Sequence, residues 1–322
     1  MAGVVFERKI QGVNYTYGDK YVSASIEMAR VLSIIWIVIL HATRQGWGSG
    51  GVIVFLAISI GLIKPDKKFG LCDITKSRAK RLIIPWLAWC AIYGSTAIIH
   101  YFIEGNRKPL QPSMLLYGPE IHLWFLPFLF LTTVIAIPIA YNLPRNSNGR
   151  RLFMVAALTI TCIIIFAMGY LIQSGIINTY PFVQWAEAAP GFGLGVFYLV
   201  VKVERNPKTW IMLMAMCVLV CDAFAWRVFG SDFAGPIACA VVALAATWLL
   251  VKFEAPSGLR AVASLTFGVY LGHILVLRIT SNVFRVTNPT LNVLFAIVGS
   301  AVLAVGIRYA WRLLGFTKWQ IV

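Results

Sequence analysis

Charged side chains are scarce in this chain. They make up 12% of its 322 residues, about half of the roughly 25% carried by average soluble chains. Acids are scarcer still, 12 against 28 lysines and arginines. With 59% hydrophobic residues and a mean hydropathy of +0.79, the soluble globular class is excluded. Polar stretches are also missing: the gaps between apolar runs long enough to cross about 30 Å of hydrocarbon are short, so no soluble domain has room between them. Residues 1–22 are polar and of mixed charge, without the apolar core of a cleaved signal peptide; Met1 is therefore expected in the cytoplasm, and insertion is expected to rely on the first apolar run. The six cysteines form no Cys-x-x-Cys motif. Cys217 and Cys221 share a helix face, but no histidine or second pair accompanies them, so packing as small hydrophobes is preferred to metal or redox work. Internal repeats and low-complexity segments are likewise absent.

What the chain does have is a series of ten apolar spans, about 23–43, 50–63, 82–103, 121–141, 152–172, 182–201, 209–228, 234–251, 261–281 and 290–312. With Met1 inside, the outer segments hold only Arg44, Arg107, Lys108, Arg227 and Arg285, and Arg30 and Arg278 fall within spans. The other basic residues all lie on the inner side, the distribution that the positive-inside rule requires. The expected fold is thus all-α and polytopic, with about ten transmembrane helices: a cytoplasmic tail over 1–22, a membrane domain over 23–312 and a second cytoplasmic tail over 313–322. Net positive charge on the inner face fits anionic lipid headgroups or a phosphorylated cytosolic ligand, and nucleic acid is not needed to explain it.

The first span keeps Arg30 and His41 in otherwise apolar surroundings. Eleven helical steps return to within about 20° of the same face, about 16 Å further along the axis. An Arg at that depth costs on the order of 3 kcal/mol unless a polar cavity or a partner receives it; a snorkelling Arg and a rim His is the alternative. The loop from Lys64 to Arg81 is the most basic in the chain. Arg78 and Arg81, three residues apart, bring planar guanidinium forks suited to phosphate, though topogenic charge alone would also account for them. Trp86 and Trp89 read as interfacial anchors. Glu120 reads as helix-terminal capping and Trp124 as part of the aromatic belt, whereas His122 between them has no such routine explanation. Glu187, followed by Pro190, Gly191, Gly193 and Gly195, marks a helix that could open into a cavity. Glu187 and Asp222 are candidate partners for Arg30 or Arg278, whether as a structural pair or as catalytic acids. His273, about 18 Å up the ninth span, reaches much the same depth as His41. Three of the four histidines therefore map to the outer half of the bilayer, and His100 reads as interfacial. Basic groups below and histidines above suggest group transfer across the membrane, with proton-transfer chemistry at the outer end.

Four pieces of this sequence together resemble acyltransferase family 3, the membrane O-acyltransferases that modify bacterial surface glycans, lipid-linked glycans and some small glycosylated metabolites. They are Arg30 with ten residues before His41; the Arg78-x-x-Arg81 run leading to Pro85 and Trp89; His-Leu-Trp-Phe-Leu-Pro at 122–127; and Thr-Phe-Gly-Val-Tyr-Leu-Gly-His at 266–273. The resemblance implies a ten-helix enzyme of the bacterial inner membrane that moves an acyl group, most readily acetyl, from cytoplasmic acetyl-CoA or a related acyl-CoA to a sugar hydroxyl. It implies no metal. His41 corresponds to the family's essential histidine, Arg30 to its helix-one arginine, and Arg78 with Arg81 to its basic pair, which would hold CoA phosphates. Glu27, Ser59, Glu120, His122, Trp124, Tyr270 and His273 are the further candidates for touching substrate or supporting these groups. Two features depart from the pattern: Ile60 separates Ser59 from Gly61 where Ser-Gly is usual, and Glu27 stands where Asp is common. His41 would act as general base or as a transient acyl carrier, and the sequence leaves both open. Arg30, about 16 Å away, would serve the CoA arm or hold an acid. A transporter or flippase of glycans or anions, with its ionisable residues forming a relay, is the alternative reading.

Overall fold

In hydrocarbon every backbone N–H and C=O must find its partner within the protein, and a helix does this along its own segment. The computed structural model describes residues 19–43, 46–63, 70–104, 114–204, 206–250 and 254–313, and all regular elements among them are helices. In chain order these are α1 (Asp19–Thr43), α2 (Gly50–Gly61), α3 (Leu71–Glu104), α4 (Met114–Tyr117), α5 (Phe125–Tyr141), α6 (Ser147–Gln173), α7 (Phe182–Ala188), α8 (Pro190–Val201), α9 (Pro207–Phe229), α10 (Ser231–Leu250), α11 (Ser257–Asn282) and α12 (Pro289–Leu313), with single 3₁₀ turns at Gly46–Ser49 and Ile121–Trp124. Among the described residues seven helices are long and apolar enough to cross a membrane, those beginning at Ala24, His122, Ser147, Pro207, Asp232, Ser257 and Pro289. The three other expected spans fall on the short apolar α2, on α3, and on α7 and α8 together. Large apolar side chains such as Leu87, Leu131, Ile163, Met212, Phe224 and Val302 point outward, as they should where the solvent is acyl chain.

Helix α1 lies inside the bundle, packed by α2, α10, α11 and α12. Where lipid supplies no hydrophobic drive between helices, close backbone approach and van der Waals contact hold them. The start of α2 illustrates this: a Cβ on Gly51 would collide with the Ser33 carbonyl of α1, and one on Gly50 would come within 2.7 Å of the Pro236 carbonyl of α10. The glycines of α8 act in the same way, which corrects the expectation that they open a cavity. A Cβ on Gly191 would lie 2.7 Å from the Ile53 carbonyl, and one on Gly195 would lie 2.7 Å from Ile60 Cβ. They press α8 onto α2. The only interruption is at Ala189, where α7 stops and Pro190 starts α8, a position at which the missing N–H costs nothing.

Contacts between helix ends show alternating crossings. Lys202, just past α8, donates from Nζ to the Gly61 carbonyl at 2.7 Å, placing a cation on the unsatisfied carbonyls at the end of α2. Arg150 near the start of α6 pairs with Glu204 at 2.6 Å, and Asn146 caps α6 by accepting from the Gly149 N–H. Arg308 of α12 donates to the Ser264 carbonyl of α11. At the other ends of α6 and α9, Gln173 Nε2 donates to the Val228 carbonyl at 3.2 Å.

Two tryptophans expected at the interface are in the core instead. Trp86 is 8% exposed and Trp89 1%; Leu87 and Ile92 take the outward face of α3. Trp89 packs on Tyr93, ring centroids 5.5 Å apart. Depth in the bilayer is set by helical rise, but which side of the helix meets lipid is set by the neighbours. Trp124, also assigned to the belt, is buried at 8% against Phe125 and Phe128.

Candidate active site

The sequence-derived residues separate into two groups at two levels of α1. Midway along it Arg30 of α1, Ser59 of α2 and Arg78 with Arg81 of α3 line a cavity of about 260 Å³, closed by Phe55, Ile58 and Leu62. Glu27, one turn before Arg30, holds it at 3.1 Å. Among the described residues the cavity lining holds three guanidiniums and no carboxylate, so it carries an excess of positive charge. Burial, and then the neighbouring charge of Arg81, lower the Arg78 pKa from its ordinary value, which an anion in the cavity would relieve. The volume is near the small end of ligand pockets, about 300–1,000 Å³, and suits the anionic part of a larger ligand. Ser59 reaches the cavity while Gly61 meets the Tyr198 ring, so the interposed Ile60 leaves both the lining hydroxyl and the close contact intact.

In the last turn of α1, His41 comes together with His122 and His273. Ring centroids lie 5.1 Å apart for His41 and His273, 5.1 Å for His122 and His273, and 6.4 Å for His41 and His122. His122 is carried by the 3₁₀ turn, and this turn is fixed to α11 at three points. Arg278 grips Glu120 with both guanidinium nitrogens, at 2.5 and 2.7 Å; the Tyr270 hydroxyl donates to the His122 carbonyl; and His122 Nε2 donates to the Leu271 carbonyl at 3.3 Å. The chain enters the turn through Gly118 at φ +80°, where a Cβ would also meet Leu123 at 2.9 Å; only glycine takes this conformation without strain.

Glu120, at the N-terminal end of the turn as expected, makes an ion pair across the bundle and no side-chain capping hydrogen bond. Arg30 and Arg278 are held by Glu27 and Glu120, and neither Glu187 nor Asp222 pairs with them. Asp222 is buried on α9 with Oδ1 unpartnered among the described residues, and Glu187 sits on α7. The side chain of His100 lies outside the described residues.

Tyr93 of α3 is a member of this end that sequence reasoning missed. Its hydroxyl donates to the Leu271 carbonyl at 2.9 Å and accepts from the Leu275 N–H at 3.2 Å, the two groups that a regular turn of α11 would join. Its ring meets that of His122 at 5.3 Å. The available signal was a tyrosine one turn beyond Trp89 in an apolar span, since a buried phenol needs a partner.

Hydrogen bonding fixes the tautomers of two histidines. A carbonyl only accepts, so each ring nitrogen facing one carries the proton. His273 directs Nδ1 to the Tyr270 carbonyl at 2.7 Å, leaving Nε2 as a bare lone pair. His122 directs Nε2 to Leu271, leaving Nδ1 bare. Both bare nitrogens are buried without a partner among the described residues. His41 is less enclosed, and no carboxylate among the described residues forms an ion pair or hydrogen bond with it.

The cavity and the histidines are linked by touching rings. Phe55, in the cavity wall, meets Phe125 at 5.8 Å edge to face; Phe125 meets Tyr270 at 5.8 Å; and Tyr270 meets His122 at 5.7 Å.

A family model described as an acyltransferase domain matches residues 23–309 of the chain. No curated protein and no solved structure matches it.

Proposed function

The chain belongs to this acyltransferase family, and on that basis we propose that it moves an acyl group, most readily acetyl, from cytoplasmic acyl-CoA to a sugar hydroxyl of an extracytoplasmic or lipid-linked glycan. It works as a ten-span protein of the bacterial inner membrane with both ends cytoplasmic and membrane lipid around it. The observation that carries the reading is the division of α1, with an arginine-lined cavity at Arg30 and a histidine cluster at His41.

In this reading Arg78 and Arg81 bind CoA phosphates through bidentate, charge-assisted hydrogen bonds, and Arg30, itself steadied by Glu27, adds a third charge. The thioester arm extends along α1 past Phe55 towards the histidines. At the far end neutral His41 takes the proton of the acceptor hydroxyl as its oxygen attacks the thioester carbonyl. The C–O bond forms, the C–S bond breaks, and His41 returns the proton to the departing thiolate. Glu120, Arg278 and Tyr270 shape the acceptor side by holding the His122 turn.

Purified protein reconstituted in oriented liposomes, with labelled acetyl-CoA on the cytoplasmic face and candidate glycans on the outer face, tests this. Labelled glycan outside is the expected result. Acetylation only of glycan on the CoA side would remove the trans-bilayer mechanism, and glycan movement without acetyl transfer would favour the transporter reading. A labelled acyl-histidine at residue 41, trapped by acid quench, would replace the general-base role with that of acyl carrier.

A further inference from the structure

The proton taken up by His41 creates an imidazolium in a bilayer, where an unpaired charge is expensive. In hydrolytic triads a carboxylate receives the second ring N–H of the base and fixes its tautomer. That solution is closed here. Glu120, the acid on the His122 turn, is occupied by Arg278, and Glu27 of α1, about four helical turns from His41, is paired with Arg30. What the site offers instead is a neutral imidazole with a bare nitrogen. His273 is fully buried, its Nδ1 proton is committed to α11 carbonyls, and its Nε2 has no partner among the described residues.

We propose that His273 is the positioning residue for His41: its bare Nε2 accepts the second ring N–H of His41, selects the tautomer that presents a free nitrogen to the acceptor hydroxyl, and shares the positive charge that follows proton uptake. The separation fits. Two imidazoles joined by one N–H···N bond of about 2.9 Å have centroids about 5 Å apart; His41 and His273 stand at 5.1 Å with their planes inclined by 43°, and because Nε2 of His273 is unbonded in this arrangement, a rotation of the His41 ring completes the bond. His122, at 6.4 Å from His41, is beyond that separation. During transfer the hydroxyl proton passes to the free nitrogen of His41 and then to the thiolate. His273 keeps its own proton throughout and remains an acceptor. This inference rests on the acyl-transfer reading for its consequence in turnover, but the hydrogen bond itself can be examined without any acyl acceptor.

The two ring nitrogens of His273 can be tested separately. In His273→Gln the side-chain oxygen can occupy the place of Nε2 and retain the acceptor. In His273→Asn the amide N–H can occupy the place of Nδ1, retaining the bond to the helix carbonyls and losing the acceptor. Acetyl transfer is measured in proteoliposomes with labelled acetyl-CoA and an extract of bacterial lipid-linked oligosaccharide. The expected result is that His273→Asn lowers kcat about 10–100-fold, by analogy with groups that hold the second nitrogen of metal-bound histidines, with the KM for acetyl-CoA unchanged, while His273→Gln recovers most of the loss. A residue needed only for helix structure would give the reverse order, and either that order or equal losses overturns the proposal.

The second measurement is the rate at which diethyl pyrocarbonate modifies His41, located by mass spectrometry in protein that elutes as a single detergent-solubilised peak. An imidazole whose N–H is held by an acceptor is the better nucleophile, so modification should slow several-fold in His273→Asn and stay near the parent rate in His273→Gln. Equal rates in all three proteins overturn the hydrogen bond. If His273→Asn fails to elute as a single peak, His273→Ala, which also lacks the acceptor, takes its place in both assays with the same expected losses. A parent protein that transfers no acetyl group yet shows the Asn-slow, Gln-normal modification pattern would sink the acyltransferase reading and leave the histidine pair standing. Acetyl transfer with a flat pattern would do the opposite.

Discussion

The clamp between Glu120 and Arg278 lends itself to a double-mutant cycle. Glu120 → Gln and Arg278 → Gln each remove one charge, and both together remove the pair while retaining polar side chains of similar size. Two unit charges about 4 Å apart attract by about 4 kcal/mol at an effective dielectric of 20. The pair is unequal in exposure, with the glutamate side chain 8% accessible and the arginine 37%. A fully buried pair loses about 3–5 kcal/mol when one partner is removed, whereas exposed pairs are worth about 0–1. Bidentate geometry with one screened partner puts the expected coupling at about 2 kcal/mol. Each single variant should lower the thermal transition of the detergent-solubilised protein, and the double variant should lose less than the sum of the two. Acetyl transfer should fall in parallel, because the clamp is one of the three polar attachments described above that hold the His122 turn to α11. Coupling below about 0.5 kcal/mol would refute the claim that this ion pair fixes the turn. Coupling of the expected size with undiminished transfer would instead show that the position of the turn does not matter for the chemistry.

Three other outcomes are expected. His41→Ala should insert and purify like the parent while acetyl transfer falls by about 10²–10⁴; normal product formation would remove His41 from the mechanism. Arg78→Ala and Arg81→Ala should weaken acyl-CoA binding measured by equilibrium dialysis, with Arg→Lys recovering only part because the bidentate fork is lost; parent-like binding in both would leave those charges a purely topogenic role. Single cysteines placed at Ser77 and Ser147 should react with a membrane-impermeant maleimide only from the cytoplasmic side, and one at Ser49 only from outside; external labelling at Ser77 would invert the proposed topology.

Much of the fold was legible because a bilayer imposes a length scale on the chain. Apolar runs of the right length had to be helices, and each falls on helix in the structure. Rise per residue also gives depth, which is why His41, His122 and His273, on three separate elements, could be assigned to one level before any contact was known. The distribution of basic residues likewise put Arg78 and Arg81 on the inner side, whereas their meeting with Arg30 and Ser59 in one cavity is seen only in the structure. Rise does not reveal which helix stands beside which. Glu187 and Asp222 are the acids that depth alone offers to Arg278, whereas the one that holds it is Glu120, brought across from another element. Trp86 and Trp89 were at a plausible depth for anchors but turned inward, and the glycines of α8 served close packing where an opening was expected. Tyr93 escaped notice because its role depends on the distant backbone of α11, to which nothing in its own segment points.

The file of touching rings from Phe55 through Phe125 to Tyr270 has a consequence for the cell's energy economy. A protein with a cationic, water-accessible cavity at one end and proton-accepting imidazoles at the other has the ingredients of a proton leak. Protons cross membranes along chains of polar groups and ordered water, and water persists only where several polar partners hold it. Between the cavity wall and the histidines these aromatic rings offer faces and edges of hydrocarbon at van der Waals spacing, which interrupts such a wire. In the proposed topology, where the cavity and the histidines face different compartments, this dry file is expected to keep the bundle electrically tight at rest and so to preserve the voltage across the membrane.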